Sequence, residues 1–266
     1  MFDWLSCTIN KLPDKEYLLD RGTESIDIYR KQTYKYRYGF DKAVVFCIPH
    51  KYSDHTNSKI SLTKIIINPK NFICYDHFEA YLLSIFGDDR PELREFKISR
   101  IDMASDIEGI TPETILCILR IRRITVNTFN VFKGTIYGGS NPSFRIYDKI
   151  KQIRQLIKEG KPVTDYERGL LKLHGSLTRF EVQIEKTKKT LQDLKDNPLL
   201  FMPFWNSLEF LKHDEETSGI MQYKYKNFTL KMRKQIKEYH DSELLEKIKS
   251  QFIESVEEWF KPREPF

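Results

Sequence analysis

The sequence holds no C-x-x-C pair: its four cysteines, Cys7, Cys47, Cys74 and Cys117, stand far apart. That spacing excludes the common zinc and dithiol motifs, and it reads as reduced, mostly buried thiols in a cytoplasmic protein. The six histidines, His50, His55, His77, His174, His213 and His240, are equally scattered, and no pair brackets a single hydrophobic residue. No apolar run is long enough to cross a membrane, and Asp3 interrupts the first residues, so neither a span nor a signal peptide is expected. Low-complexity tracts and repeats are missing too, which excludes solenoid and collagen-like classes.

What is present suits a folded chain. In 266 residues, 40% are hydrophobic and 13% aromatic, enough for a sizeable core in one large domain or two small ones. The net charge of +6 favours polyanionic partners.

Alternating residues predict strands over Phe2–Asn10, within Ser25–Pro49, over Ser58–Asn68, over Phe96–Glu108, in a hairpin within Lys133–Lys149, and over Ser176–Lys186. A polar connection is expected after Pro13. Helical spacing predicts helices over Cys74–Phe86, closed by Gly87, and over Ile150–Lys158. Thr111–Arg122 reads as a helix with Thr111 as N-cap and Pro112 at its first position. Gly160–Gly175 reads as an exposed loop with at most a short helix. Helices are expected again over Thr187–Lys195 and Phe201–Leu211. A last one spans about Ser242–Phe260, with Leu245, Ile248, Phe252, Val256 and Trp259 on one side. Strands joined by tight turns followed by helices predict an α+β fold: antiparallel sheet with helices on one face and a helical C-terminal tail.

The hairpin KGTIYGGSNPSFRIYDK carries the most chemistry. Gly138 and Gly139 permit positive φ in its turn. In its second strand Arg145, Tyr147 and Lys149 share one face and Phe144 and Ile146 the other. The flanking strands divide likewise. Arg100, Asp102, Ala104 and Asp106 oppose Ile101 and Met103, while Arg179, Glu181, Gln183 and Glu185 oppose Phe180, Val182 and Ile184. In one sheet, the polar sides converge on an open surface of carboxylates, cations and a tyrosine. A phenol becomes a nucleophile when nearby positive charge favours its phenolate. Asp102 and Glu181 suit a hard divalent ion that polarises a phosphodiester, with Lys149 or Arg145 assisting. The plain alternative is a half-buried tyrosine beside salt bridges of Asp102 and Glu181 to Arg100 and Arg179.

RIDMASD, GTIYGGSNPSFRIYDK and LTRFEVQIEK, in that order, resemble the Rep_trans family of rolling-circle replication initiators, which has relaxase relatives. The opening FDWLSCTI resembles that family's first strand, and the likeness covers about Phe2–Leu194. The resemblance implies a nicking-joining domain over 1–194 related to the HUH endonucleases. It also implies Tyr147 as nucleophile in the YDK segment, and Mg²⁺ or Mn²⁺ held by Asp102 and Glu181, with a looser tie to Asp106. Single-stranded or supercoiled origin DNA, a host helicase, a polymerase and a homodimer are the implied partners. Tyr137 is the rival nucleophile. The His-hydrophobic-His pair of the wider HUH group is missing, which weakens that wider analogy. A relaxase with the same chemistry, a non-catalytic DNA-binding regulator on the same fold, and an RNA-binding module are the alternatives.

Two basic stretches are candidates for gripping nucleic acid. Tyr29–Phe40 interleaves aromatics with cations including Lys35 and Arg37, or is an ordinary two-sided strand. Ile220–Lys237, inside a helical C-terminal region over 195–266, carries Lys224, Lys226, Lys231, Arg233 and Lys234 without an acid, or is a solvated basic face. Phosphate contacts release counterions, so neutralising Lys231, Arg233 and Lys234 together is expected to flatten the salt dependence of DNA binding. An unchanged slope of log affinity against log salt places the DNA elsewhere.

Overall fold

Alternation of Leu5, Cys7 and Ile9 with the polar Ser6 and Thr8 makes the first strand, β1 (Phe2–Ile9), in a computed structural model of the chain. The structure describes residues 1–26, 33–49, 61–112, 116–121, 124–126, 129–132, 135–139, 141–161, 163–211 and 242–263. The chain is α+β, with a large antiparallel sheet and six α-helices among the described residues. No helix among them is long and apolar enough to cross a membrane.

The chain divides into two compact units that interleave along the sequence. The first comprises Met1–Met103, Ile184–Leu200 and Ser255–Phe266, and the second Ala104–Gln183 and Phe201–Glu254. Strand β6 (Lys97–Glu108), strand β12 (Leu177–Glu185) and helix α6 (Ser242–Phe260) each begin in one unit and end in the other.

In the first unit, β2 (Thr23–Ile26), β3 (Tyr34–Gly39), β4 (Ala43–Pro49) and β5 (Thr63–Ile67) pair in succession, followed by β1 and β6. Leu5 stands opposite Ile67 on one side and Ile101 on the other, so apolar side chains align across three strands. Short helices α1 (Lys15–Arg21) and α5 (Leu191–Asp196) and the longer α2 (Tyr75–Ser84) complete this unit. Gly87 closes α2 at a φ of 59°, where a Cβ would lie 2.8 Å from the Asp14 carboxylate. That carboxylate caps α1 by accepting from the Tyr17 amide at 2.7 Å, which replaces the polar connection expected after Pro13. Burial pushes the Cys7 and Cys47 thiols up to about 12, and Cys7, Cys47 and Cys74 form no disulfide.

In the second unit, β9 (Phe129–Phe132), β10 (Thr135–Gly139), β11 (Ser143–Asp148) and β12 are neighbours in that order. Gly139, at a φ of 70°, turns the hairpin between β10 and β11. Helices α3 (Lys149–Lys158) and α4 (Asp165–Leu173) close a small core of Ile150, Ile153, Leu170 and Leu177. A three-stranded sheet runs in the order β13 (Leu208–Leu211), β7 (Leu116–Ile121), β8 (Ile124–Val126).

Three expectations fail here. The helix expected over Thr111–Arg122 is strand from Leu116, because the apolar-rich run LCILRI, interrupted by Arg120, suits a strand as well as a helix. The loop expected over 160–175 holds α4. Its start is set by a reciprocal box in which Thr164 and Glu167 cap each other. The helix expected over Phe201–Leu211 is a 3-10 turn, Met202–Ser207, leading into β13.

Helix α6 matches its expected span, with Leu245, Ile248, Phe252, Val256 and Trp259 buried as one stripe. In the first unit its last turn seats Trp259 against Phe2, Tyr75 and Phe78, with ring centroids 5.3–6.0 Å apart. Trp259→Ala empties that position and is expected to lower unfolding stability by about 3–5 kcal/mol in a urea titration. A loss under about 1 kcal/mol means that this end of the helix does not hold the unit together.

Candidate active-site face of the second unit

The register of β10, β11 and β12 brings the sequence-predicted residues together. Tyr137 stands opposite Arg145, Arg145 opposite Glu181, and Tyr147 opposite Arg179. Residues directly opposite across antiparallel strands share a face, as do residues two apart on one strand. Tyr137, Arg145, Tyr147, Arg179 and Glu181 therefore occupy one face of this part of the sheet. Phe144, Ile146, Phe180 and Val182 bury the other, where Phe180 meets Phe210 edge-on at 5.6 Å.

The charged side chains on that face neutralise one another. Arg145 Nη2 donates to Glu181 Oε1. Arg179 forms a two-point fork on Asp106, with Nε to Oδ1 at 2.6 Å and Nη2 to Oδ2 at 2.5 Å. The face is not the open surface expected. Glu181 and Arg179 are almost wholly buried, and Tyr147 is 8% exposed. The reason is the pairing: each buried carboxylate has a guanidinium, so the face does not require solvent to carry its charge. The salt-bridge alternative is met in altered form, since Arg179 takes Asp106 and Glu181 takes Arg145.

Tyr137 differs from Tyr147 in access. It is 39% exposed, on the same face and in register with Arg145.

Lys149 does not share the strand face. The strand stops at Asp148, whose carboxylate caps α3 by accepting from the Lys151 amide at 2.8 Å. Lys149 is thus the first helical residue, and its ammonium is buried against Glu167 at 2.8 Å and Gln152 at 2.9 Å. The other Glu167 oxygen accepts from the Thr164 amide and hydroxyl at 3.1 and 3.2 Å. Sequence reading missed Glu167, although Thr164-x-x-Glu167 carries the capping-box signature that marks it.

Asp102 lies in the first unit, buried, with both oxygens on Arg100: Nε to Oδ1 at 2.8 Å and Nη2 to Oδ2 at 2.5 Å. Lys35 and Arg37 lie on β3 of the same unit. Tyr34 and Tyr38 alternate with these cations and are buried, and burial pushes the Tyr34 phenol up to about 12. Tyr36 between these two buried rings is partly exposed, and residues 29–32 of the stretch lie outside the described residues. Lys224, Lys226, Lys231, Arg233 and Lys234 lie outside the described residues.

Asp102, in the first unit, and Glu181, in the second, each carry the oxygen donors that a hard cation prefers. Each is held by an arginine, so an ion would bind in exchange for a guanidinium. Among the described residues no group of three or more His, Cys, Asp or Glu side chains is arranged to hold a metal.

No protein-family model matches the chain, and no curated protein matches it.

The Lys149–Glu167 pair joins α3 to α4 where water is largely excluded. Glu167→Leu leaves a buried ammonium without its carboxylate and is expected to cost about 3–5 kcal/mol. Adding Lys149→Met is expected to restore most of it. Equal melting temperatures for the single and double variants would show that the pair is not coupled.

Proposed function

We propose that the protein is a rolling-circle replication initiator on an HUH-related fold, which nicks one origin strand with Tyr147. The observation that carries this reading is the cross-strand placement of Tyr147 beside Arg145, Arg179 and Glu181, within motifs that resemble the Rep_trans family in kind and order. In the reaction the phenol gives up its proton and its oxygen attacks the phosphorus. The bond from phosphorus to the 3′ oxygen breaks, that oxygen takes a proton, and the 5′ phosphate remains on the tyrosine. The link conserves the energy of the broken phosphodiester for rejoining.

This chain's residues serve the step electrostatically. Arg145 and Arg179 stabilise charge building on the phosphoryl oxygens. Their carboxylate partners hold both guanidinium groups in place, so little reorganisation is needed as that charge develops. Lys149, tied to Glu167, fixes the helix that begins two residues after Tyr147. Mg²⁺ or Mn²⁺, when bound, would supply polarisation of the phosphodiester; of the two donors the resemblance implies, Glu181 lies on this face and Asp102 lies in the first unit. Origin DNA, a host helicase, a polymerase and a second copy of the chain are the partners of this reading. A relaxase uses the same residues for the same chemistry.

Tyr137 supports a second reading. It is exposed and aligned with Arg145, whereas a phosphodiester reaches Tyr147 only if the face opens. Tyr147→Phe is expected to abolish the protein–DNA adduct on a denaturing gel with Mn²⁺, while Tyr137→Phe leaves it. The reverse pattern moves the nucleophile to Tyr137. No adduct from the unmodified protein on any single-stranded or supercoiled origin-containing DNA removes the enzyme and leaves the DNA-binding regulator.

A further inference from the structure

The first unit carries a second guanidinium fixed by a buried carboxylate, and this one lies against an indole. Trp4 on β1 stands opposite Asp102 on β6, and Ser6 stands opposite Arg100, so Trp4, Arg100 and Asp102 share a face of the paired strands. Arg100 grips Asp102 through Nε and Nη2, and its guanidinium carbon sits 5.4 Å from the centre of the Trp4 ring. The Asp102 side chain is 2% exposed, while that of Arg100 is 32% exposed. Trp4 is partly exposed, whereas Trp205 and Trp259 are buried.

We propose that Trp4 and Arg100 form a clamp for the backbone of single-stranded DNA, with Asp102 as the positioning residue behind it. Each part follows from chemistry on that face. A carboxylate fork on Nε and Nη2 orients the guanidinium plane, and the Arg100 side chain stays 32% exposed. A planar fork of that kind matches the oxygens of a phosphodiester, which the point charge of lysine does not. The indole beneath it holds the cation by its π face and presents an edge and face on which an unpaired base stacks. Pairing of a stacking platform with an adjacent phosphate donor fits a strand whose bases are exposed. In a duplex the bases are stacked on one another and offer no free face to the indole. The proposal assigns Asp102 a role that needs no metal, and it rests on the reading that the protein acts on single-stranded DNA.

The test is a titration of the full chain with a fluorescein-labelled single-stranded oligonucleotide in excess chelator, followed by anisotropy and tryptophan emission. The unmodified protein is expected to bind, with quenching of its accessible indole. Trp4→Leu removes the quench and weakens binding by about tenfold, the size of one lost base stack. Arg100→Lys keeps the charge but loses the fork, and is expected to weaken binding by a similar ~10-fold. Circular-dichroism melts show whether each variant is folded. If a variant unfolds, the quench in the unmodified protein decides, because Trp4 alone of the three tryptophans is partly exposed. Folded variants that bind as tightly as the unmodified protein overturn the clamp, as do binding without a quench, preference for duplex, and failure to bind. The nickase reading fails separately: no covalent adduct with Mn²⁺ while both variants still weaken oligonucleotide binding would leave the clamp standing without the enzyme.

Discussion

A carboxylate or guanidinium removed from water must be met by an opposite charge, and that requirement organises the polar face of the second unit. Glu181 is paired with Arg145 through Oε1, and Arg179 with Asp106. It also ties β11 to β12 in one register. A slip of one residue turns Phe144 and Ile146 to the charged side. A slip of two sets Arg145 opposite Arg179 or Gln183 instead of Glu181. The first costs apolar burial, and the second leaves buried charge without compensation, which is the more expensive error. The same constraint draws Lys149 onto Glu167, and so positions α3 and α4 behind the strand that carries Tyr147.

Much of the fold was legible because apolar and polar residues repeat at the period of the element they form. Strands β1, β6, β11 and β12 alternate, and α6 repeats its apolar residues at helical spacing over its full 19 residues. Segments without a clear period were not legible. The run Leu116–Ile121 offers the same apolar residues to a helix or a strand, and pairing with β7's neighbours decides for strand. Helix α4 was hidden by a polar sequence whose cap signature was overlooked. The candidate site was legible as a set of residues on one face, since alternation places them there. Their pairing was not. Whether Arg179 meets Glu181 or Asp106 depends on register between strands distant in sequence, and local spacing carries no information about it. Exposure was misjudged for the same reason: a charged face reads as solvated until its partners are known.

The arrangement places two tyrosines and two compensated arginines on one sheet face, and an arginine stacked on an indole on a face of the other unit. Phosphodiester chemistry has a use for each: a nucleophile, preoriented cations, and a grip on the strand. On that face Tyr147 is covered and Tyr137 is exposed. Pairing alone does not separate an enzyme from a stable charged network, because both need the same neutralised face. What separates them is whether a phenol on that face takes up a phosphate.

That question is answered by incubating the protein with single-stranded DNA and Mn²⁺, digesting it, and identifying the tyrosine peptide that has gained a 5′-nucleotide by mass spectrometry. Recovery of the modified peptide containing Tyr147 is the expected result. Modification of Tyr137 alone, or of no tyrosine while the DNA remains bound, contradicts it.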